Sequence, residues 1–450
     1  MHQPTVNGNE SRISLWLRVR EFAVPPTMIE TATARRNVGD WAGACAAAGF
    51  DVDVNPRSLA RTHGAELARR VRDDLRHLAP DLLRWHMPRV GPDGLLRPAL
   101  TMTLARYGGH EYGSHCGRAG SIHLVVRTAP AWADAGQRIV LALWDESRPE
   151  AGAGLDPHPR PDRRFRLDLH RHLWDARRAA ELGIRSRATQ FDQWTAEAEI
   201  LLRAEGRSAG PLAIRLGGRR LIAELRTDAS HQPRLRVVKG YPPGEKSALP
   251  VLPDAATRVL PDLELLRAGT LTPDRLHPLV ASALAPDYPH IESPCGTSRG
   301  DQPHLVDCRG ERHRIGLLDG VLTALDHDPL EIRREELLAA LTGTPLPCLQ
   351  AIDRAHRHPD CLVGVRERLR HGDIAGALAV VEGLLGPGAA LRDGALRDEL
   401  EAAARKRITY GLFRAGLFDE GPDTPRRRRP PHRAAPHQVF RAHPRHASTR

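Results

Sequence analysis

The chain has 450 residues, and its 66 lysines and arginines exceed its 55 aspartates and glutamates by a formal charge of +11. Residues 425–450 contain eight arginines and no acidic residue, so the rest of the chain carries only about +3. Aromatic residues make up 4% of the chain. A nearly neutral body that is poor in aromatic residues argues against a folded domain that stacks nucleic-acid bases on its surface.

The length allows two or three domains with substantial cores. The six cysteines are scattered and do not form the dense pattern of a secreted disulfide scaffold. Residues 1–9 are polar, without the apolar core of a signal peptide. The longest stretch of small apolar residues, Trp41–Phe50, is too short to span a membrane. Together these features predict a reduced, soluble, cytoplasmic protein.

The first part of the chain is predicted to form helices followed by strands. Pro26 suits a first helical position, and Asn55-Pro56 is a start signal for a later helix. Apolar residues at helical spacing then define one buried face: Leu67, Val71, Leu75 and Leu78. After Pro98 the period changes, and an antiparallel β-meander is predicted from three segments: Leu100–Leu104, Ile122–Arg127 and Gln137–Trp144.

The middle part contains further strand candidates and two short helical patterns. Gly217-Gly218 predicts a tight hairpin between two of the strands. The strand candidates are Phe165–Leu169, Leu212–Leu216, Arg220–Leu225 and Arg234–Val238. The helical patterns are Ala255–Leu266 and Pro273–Leu284.

The C-terminal part is predicted to be mainly helical. Asp328-Pro329 combines a helix cap with a first-turn proline, and Gly343 follows the end of that helix. The last helix carries a row of apolar residues at steps of four, which is predicted to face the core: Leu396, Leu400, Ala404, Ile408 and Leu412. Short connections between the helices imply an antiparallel bundle.

These patterns predict an α+β protein with mainly antiparallel sheets, flanking helices and a C-terminal helical bundle. Its predicted parts are a flexible segment (1–20), helices plus a β-meander (21–150), a linker or long loop (151–164), a mixed α/β region (165–302), a helical bundle (303–420) and a disordered Arg/Pro/His-rich tail (421–450). The tail lacks the apolar residues that would offset its ordering entropy.

Two thiols and two imidazoles near position 350 are the best candidate metal ligands: Cys348, His356, His358 and Cys361. Their spacing is unfavourable, because His356 and His358 lie on opposite sides of a helix. A helix C-terminus at which histidines complement the dipole is the alternative explanation. We therefore predict neither a bound metal nor another cofactor.

Two other histidine–cysteine groups have structural explanations of their own. His110, Glu111, His115 and Cys116 lie in a Gly-rich connection without the helical spacing of a zinc protease. His304, Cys308 and His313 surround an apparent hairpin, where a Cys–His nucleophile pair is the alternative. The segment Gly240–Ser247 resembles a phosphate loop, but Glu245 stands where glycine is required before the lysine.

Three segments resemble an uncharacterised family of actinobacterial, Streptomyces-type cytoplasmic proteins: REFAVPP (20–26), HLAPDLLRWH (77–86) and RITYGLFRAGL (407–417). The resemblance covers most of residues 20–418 and implies no activity and no catalytic residues. Such proteins are associated with systems that pair an AAA-type ATPase with a von Willebrand A-domain protein. The resemblance therefore implies one of these as a partner.

The leading functional hypothesis is a non-catalytic cytoplasmic interaction or accessory protein with a protein partner. One alternative is non-specific nucleic-acid binding through the tail, with Arg426, Arg427, Arg428 and Arg429 as the contacts to phosphate. The other alternative is a zinc-dependent enzyme.

Overall fold

In a computed structural model, the structure describes residues 7–108, 120–149, 156–186, 190–227, 232–242, 245–287, 304–308, 310–318, 321–343, 346–357, 361–385, 391 and 393–417. The protein is α+β, as predicted, with several small, mainly antiparallel sheets and a C-terminal helical region. The chain divides into two compact units. Of the described residues, those within 7–134, 138–287 and 412–417 belong to the first unit, and those within 135–137 and 304–411 belong to the second.

The first unit begins with helices. A π-helical turn, Val19–Ala23, follows the first helix, and Gly64, with a φ of 92°, separates the fourth helix from the fifth. The helices are α1 (Asn7–Arg18), α2 (Pro26–Asn37), α3 (Trp41–Ala47), α4 (Pro56–His63), α5 (Ala65–His77) and α6 (Pro80–His86). Asn55 caps α4 by accepting hydrogen bonds from two backbone N–H groups, which confirms the predicted start.

Part of the segment predicted to be flexible is helical. Residues 7–18 form α1, and its Trp16 indole donates a 3.0 Å hydrogen bond to Glu264. The Arg12 guanidinium pairs with the same carboxylate. These contacts connect α1 to a segment about 250 residues further along the chain.

The central sheet of the first unit contains the predicted meander. The strands are β1 (Phe50–Val52), β2 (Arg89–Val90), β3 (Leu95–Leu96), β4 (Thr101–Tyr107), β5 (Ile122–Thr128) and β6 (Ile139–Asp145). The strand order is β1-β6-β5-β4, and β2 and β3 form a separate hairpin. The predicted antiparallel pairing of β4, β5 and β6 is confirmed, and β1, which was not predicted, pairs with β6 in parallel at one edge. Three residues are too few to show a strand period in the sequence.

The core of this unit is built around α6, whose residues 80–85 are all buried. Leu82, Leu83 and Trp85 join the apolar cluster that α5 and the sheet also enter. The polar side chains of α6 reach distant segments. Arg84 Nε donates to Ala23 O at 2.9 Å, and the Trp85 indole donates to Asp262 at 2.8 Å.

A second sheet of the first unit packs on a helix. Its strands run in the order β7 (Gly210–Leu216), β8 (Arg219–Thr227) and β9 (Pro233–Val238), all antiparallel. They confirm three predicted strands and the hairpin at Gly217-Gly218. One face is covered by Ala198, Leu201 and Leu202. The remaining helices of the unit are α7 (Glu181–Arg185), α8 (Gln190–Ala204), α9 (Asp254–Thr257), α10 (Pro261–Arg267) and α11 (Pro278–Leu284).

The strand predicted at Phe165–Leu169 is wrong. Arg166 makes only a single bridge, to Thr103, and the following backbone turns. Arg166 is buried and donates to Asp168 at 2.9 Å. The same guanidinium pairs with Glu205. The ion pairs of Arg166 therefore hold this segment in a turned conformation, although its sequence alternates as in a strand.

The second unit combines a three-stranded antiparallel sheet with helices. Its strands are β10 (His304–Cys308), β11 (Glu311–Leu318) and β12 (Val321–Ala324), in that order. Its helices are α12 (Pro329–Thr342), α13 (Pro347–Arg357), α14 (Leu362–His371), α15 (Ile374–Leu385) and α16 (Ala395–Ala415), the last of which continues into the first unit. Asp328 caps α12 and Gly343 ends it at a φ of 74°, both as predicted.

The buried face of α16 differs from the predicted row. Leu396 is 1% exposed and Leu400 packs on the same cluster, but Ile408 is 63% exposed. Steps of four advance the side chain by about 40° each, so Ile408 lies about 120° away from Leu396 around the helix. The first residues of the predicted row, Leu396 and Leu400, therefore face the core, whereas Ile408 faces solvent.

We expect Leu396→Asp to destabilise the second unit by about 3–5 kcal/mol, because it buries an unpaired carboxylate. Ile408→Asp on the same helix should change stability by less than about 0.5 kcal/mol. Chemical denaturation of both variants measures the difference. Equal destabilisation would show that Ile408 is also buried.

Candidate functional site

Two cysteines and a histidine converge in the second unit. Cys308 ends β10, His327 follows β12, and Cys348 is the second residue of α13. Their candidate ligand atoms, two sulfurs and one imidazole nitrogen, all lie within 4.8 Å of one another. Both cysteines are buried free thiols. Among the residues that the structure describes, no other group of this kind meets the same distance limit.

The sheet register brings part of this site together. Val306 pairs with His313, and Cys308 pairs with Glu311, so these four side chains share one face of the sheet. Ile315 and Ala324, which pair with each other, continue that face into the core. Gly310 turns the chain between β10 and β11 with a φ of 88°, a conformation that favours glycine.

The two histidines of the site stack on each other. The rings of His313 and His327 are 4.1 Å apart at an interplanar angle of 9°. The His327 side chain is 5% exposed, and its Nε2 atom has no hydrogen-bond partner among the described residues. His327 Nδ1 lies 3.8 Å from a carboxylate oxygen of Glu331.

The Cys348 thiol is a poor nucleophile in this environment. Burial raises the pKa of Cys348 to about 12, and the adjacent Cys308 thiol and the Asp326 carboxylate act in the same direction. A thiol with such a pKa is almost entirely protonated at neutral pH.

The structure separates Cys348 from Cys361, two of the four candidate metal ligands considered from the sequence. Cys348 packs with Cys308, Ala324 and Leu346, whereas Cys361 packs against the neighbouring apolar cluster around Val365. His358 and the side chains of His356 and His304 lie outside the described residues. Also outside are the candidates His110, Glu111, His115, Cys116 and Arg426, Arg427, Arg428 and Arg429.

A cavity of about 360 Å³ lies in the first unit between α7, α8 and the segment 255–267. Its polar end contains His170, His172, Arg185 and Glu197. Arg185 donates to Glu197 at 2.8 Å and to His172 Nδ1 at 3.0 Å, and His170 Nε2 lies 3.1 Å from Glu197. Arg185 therefore bonds both Glu197 and His172, and His170 lies at ion-pair distance from Glu197.

The charges of these groups are fixed by their contacts. Burial alone would raise the pKa of Glu197, but the His170 imidazole and the Arg185 guanidinium outweigh it and lower the pKa to about 2. Burial, with Arg185 nearby, lowers the pKa of His172 well below its usual range. Glu197 is therefore a weak proton acceptor and a poor general base near pH 7.

A serine, a histidine and a carboxylate also meet at the edge of β5. Ser121 Oγ donates to Glu146 at 2.7 Å and lies 2.6 Å from His123 Nε2. Burial lowers the pKa of His123 to about 4. In a catalytic triad the histidine stands between serine and acid, whereas here the serine occupies the middle position.

The outer face of α12 is apolar and exposed. Leu330, Leu337 and Leu341 are 64%, 64% and 86% exposed. Their spacing of seven and four residues places them within about 40° around the helix. Ile332, on the opposite face, packs towards Cys308 and Cys348. The helix is therefore apolar on two sides, and its outer side faces solvent.

No family model matches the chain, and neither a curated protein nor a solved structure matches it. Among the described helices, none combines the length and the apolar character needed to cross a membrane.

We expect Glu197 to stabilise the first unit at neutral pH and to lose this effect in acid. Its folded pKa is about 2, below the unfolded value of about 4.3, so its contribution is complete above the unfolded pKa and falls as pH approaches 2. The stability difference between wild type and Glu197→Gln should shrink by about 2 kcal/mol from pH 6 to pH 3.

Glu199→Gln provides the control, because Glu199 is on the same helix with an exposed ion pair to Arg203. Its stability difference from wild type should stay nearly constant over this range. Urea denaturation at each pH measures both. A constant difference for Glu197→Gln would contradict the assigned charge state.

Proposed function

We propose that the protein is a non-catalytic interaction or accessory protein, and that a partner protein binds the outer face of α12. The observation that carries this proposal is the exposed row of Leu330, Leu337 and Leu341. A helix that is apolar on both sides is normally covered on both sides. Large exposed apolar patches typically mark sites of protein interaction.

The charges beside this row define the chemistry of the partner. Arg334 lies one turn from both Leu330 and Leu337 on the same face, and Arg333 lies at its edge; both are exposed. We therefore propose a partner surface with an apolar centre and a carboxylate opposite Arg334. Arginine within an apolar interface often contributes a large share of binding energy.

The other described sites support a non-catalytic role. The low pKa of Glu197 makes it a poor general base, and burial keeps the Cys348 thiol protonated at neutral pH when no metal is bound. The AAA-type ATPase or von Willebrand A-domain protein implied by the sequence resemblance is a candidate partner. We also propose that the protein acts in the cytoplasm.

Photocrosslinking identifies the partner, with a photoreactive amino acid placed at Leu337 in the full chain and, as control, at the exposed Val237 of β9. We expect one protein to crosslink from position 337 and not from 237. The purified partner should then bind Leu341→Glu and Arg334→Glu at least about tenfold more weakly than wild type, a loss of about 1.4 kcal/mol.

Val237→Glu should bind like wild type, and thermal unfolding should show that all variants are folded. Crosslinking to a second copy of this chain would replace a separate partner with self-association. Equal binding by Arg334→Glu would contradict the proposed carboxylate. The absence of a crosslink specific to position 337 would overturn the assignment of the α12 face.

The sequence of the tail favours a second candidate function, non-specific binding of nucleic acid. Eight arginines without an acidic residue can displace counterions from a phosphate backbone. With about six to eight phosphate contacts, affinity should fall roughly a thousandfold between about 50 and 200 mM salt. Fluorescence anisotropy with labelled DNA and RNA measures this dependence.

A chain ending at Gly421 should lose nearly all of this binding, because the remaining body has little net charge. Leu341→Glu in the full chain is the control and should leave it unchanged. Retained, sequence-selective binding by the truncated chain would place a nucleic-acid site in the folded units instead.

A further inference from the structure

We infer that Cys308, His327 and Cys348 form a Zn²⁺ site that fastens the sheet of the second unit to the starts of α12 and α13. This inference is independent of the partner proposed above. The three residues come from the end of a strand, the residue before a helix cap, and the first turn of a helix. They are 19 and 21 positions apart, so no local sequence motif joins them.

The donor atoms and their separations suit zinc. Thiolate sulfur and imidazole nitrogen are the usual ligands of Zn²⁺ in protein sites. With Zn–S distances of about 2.3 Å in a tetrahedral arrangement, two sulfurs lie roughly 3.8 Å apart. The three ligand atoms here lie within 4.8 Å of one another. Small side-chain movements would therefore bring them to bonding distance.

The buried imidazole of His327 is an independent indication of a ligand. A buried polar nitrogen without a partner destabilises the folded protein. His327 Nε2 has no partner among the described residues, although its side chain is 95% buried. Coordination of a metal through Nε2 would give this atom a partner, and Nδ1 would remain directed towards the Glu331 carboxylate.

The residues around the ligands provide the support that metal sites commonly have. Glu331 lies 3.8 Å from His327 Nδ1, where a carboxylate can orient the ring and increase its basicity. The ring of His313 stacks on the ring of His327 and so restricts the orientation of the His327 ring. Its Nδ1 is also buried without a partner in the described part of the chain, but His313 is not among the residues whose ligand atoms lie within 4.8 Å of one another.

The surroundings favour a structural site. Cys308 and Cys348 are 0% and 1% exposed and pack against Ala324, Leu346 and Ile332. Buried ligands leave little access for a substrate, whereas metal binding supplies folding energy to a small core. His327 directly precedes the cap Asp328, so the metal would also fix the start of α12.

The test begins with the full chain purified under reducing conditions without chelator. Its metal content is measured by inductively coupled plasma mass spectrometry. We expect one zinc per chain, and removal by chelator should lower the melting temperature of the second unit. Co²⁺ added to the chelated protein should give the visible bands of a tetrahedral, thiolate-bound ion. Added Zn²⁺ should abolish these bands.

Matched variants assign the ligands. Cys308→Ser, Cys348→Ser and His327→Gln should each bind Zn²⁺ at least about a hundredfold more weakly, and Glu331→Gln about tenfold more weakly. Cys361→Ser and Cys45→Ser, elsewhere in the chain, should keep full affinity. Circular dichroism of each variant with and without Zn²⁺ separates lost coordination from lost folding.

Three results would overturn the inference. One is wild-type protein that contains no zinc and gives no Co²⁺ spectrum on titration. Another is unchanged affinity in both cysteine variants. The third is a Cys308–Cys348 disulfide in protein purified under reducing conditions, detected as a mass two daltons below that of the dithiol form. Such a disulfide would leave neither sulfur available as a thiolate ligand.

Discussion

The first unit depends on the burial of a helix that carries polar groups into the core. In α6 every residue from Pro80 to Trp85 is buried, and each polar side chain needs a partner there. Arg84 bonds the carbonyl oxygens of Ala23 and Ala48, Trp85 bonds Asp262, and Asp81 accepts from His277 at 2.8 Å. These partners are between 36 and 196 residues away along the chain. Loss of one would leave a buried charge or N–H unpaired, which destabilises far more than the net contribution of the bond. The α6 helix therefore makes the folding of its distant neighbours cooperative.

Local rules explain why much of the fold could be predicted. Caps and turns are determined by a few adjacent residues, as at Asn55 and Asp328. The same holds for two similar segments of the sequence, RNVGDWAGA at 36–44 and RHGDIAGA at 370–377. In both, a Gly with positive φ ends one helix and an Asp caps the next by accepting from the backbone N–H of a glycine three residues on. A Cβ on that glycine would lie 2.1 Å from an oxygen of the capping aspartate, so Gly43 and Gly376 allow the observed cap geometry without a shift of the aspartate. Local geometry accounts for the similarity without a repeat.

The elements that could not be predicted depend on partners far along the chain. β1 is a strand only because residues 139–141 pair with it. The segment at Phe165–Leu169 alternates like a strand, but buried ion pairs of Arg166 determine its path. The candidate site follows the same principle. Cys348 could be selected from the sequence, and Cys308 and His313 could be noted at a hairpin. Their meeting with His327 could not be predicted, because strand register and helix placement together bring these positions to one point.

In the second unit, one short segment connects the two features to which we assign function. His327 contributes the buried imidazole, Asp328 caps α12, and the exposed leucines begin at Leu330. The inner side of α12 packs through Ile332 on the cluster that contains both thiols. Any interaction that orders His327 therefore also restricts the first turn of α12, since only Asp328 and Pro329 separate His327 from Leu330 and leave few free dihedral angles between them. A surface helix that binds a partner loses less entropy when it is already held in place. Metal coordination by Cys308, His327 and Cys348 would thus favour partner binding at the outer face of α12, which these three residues do not contact.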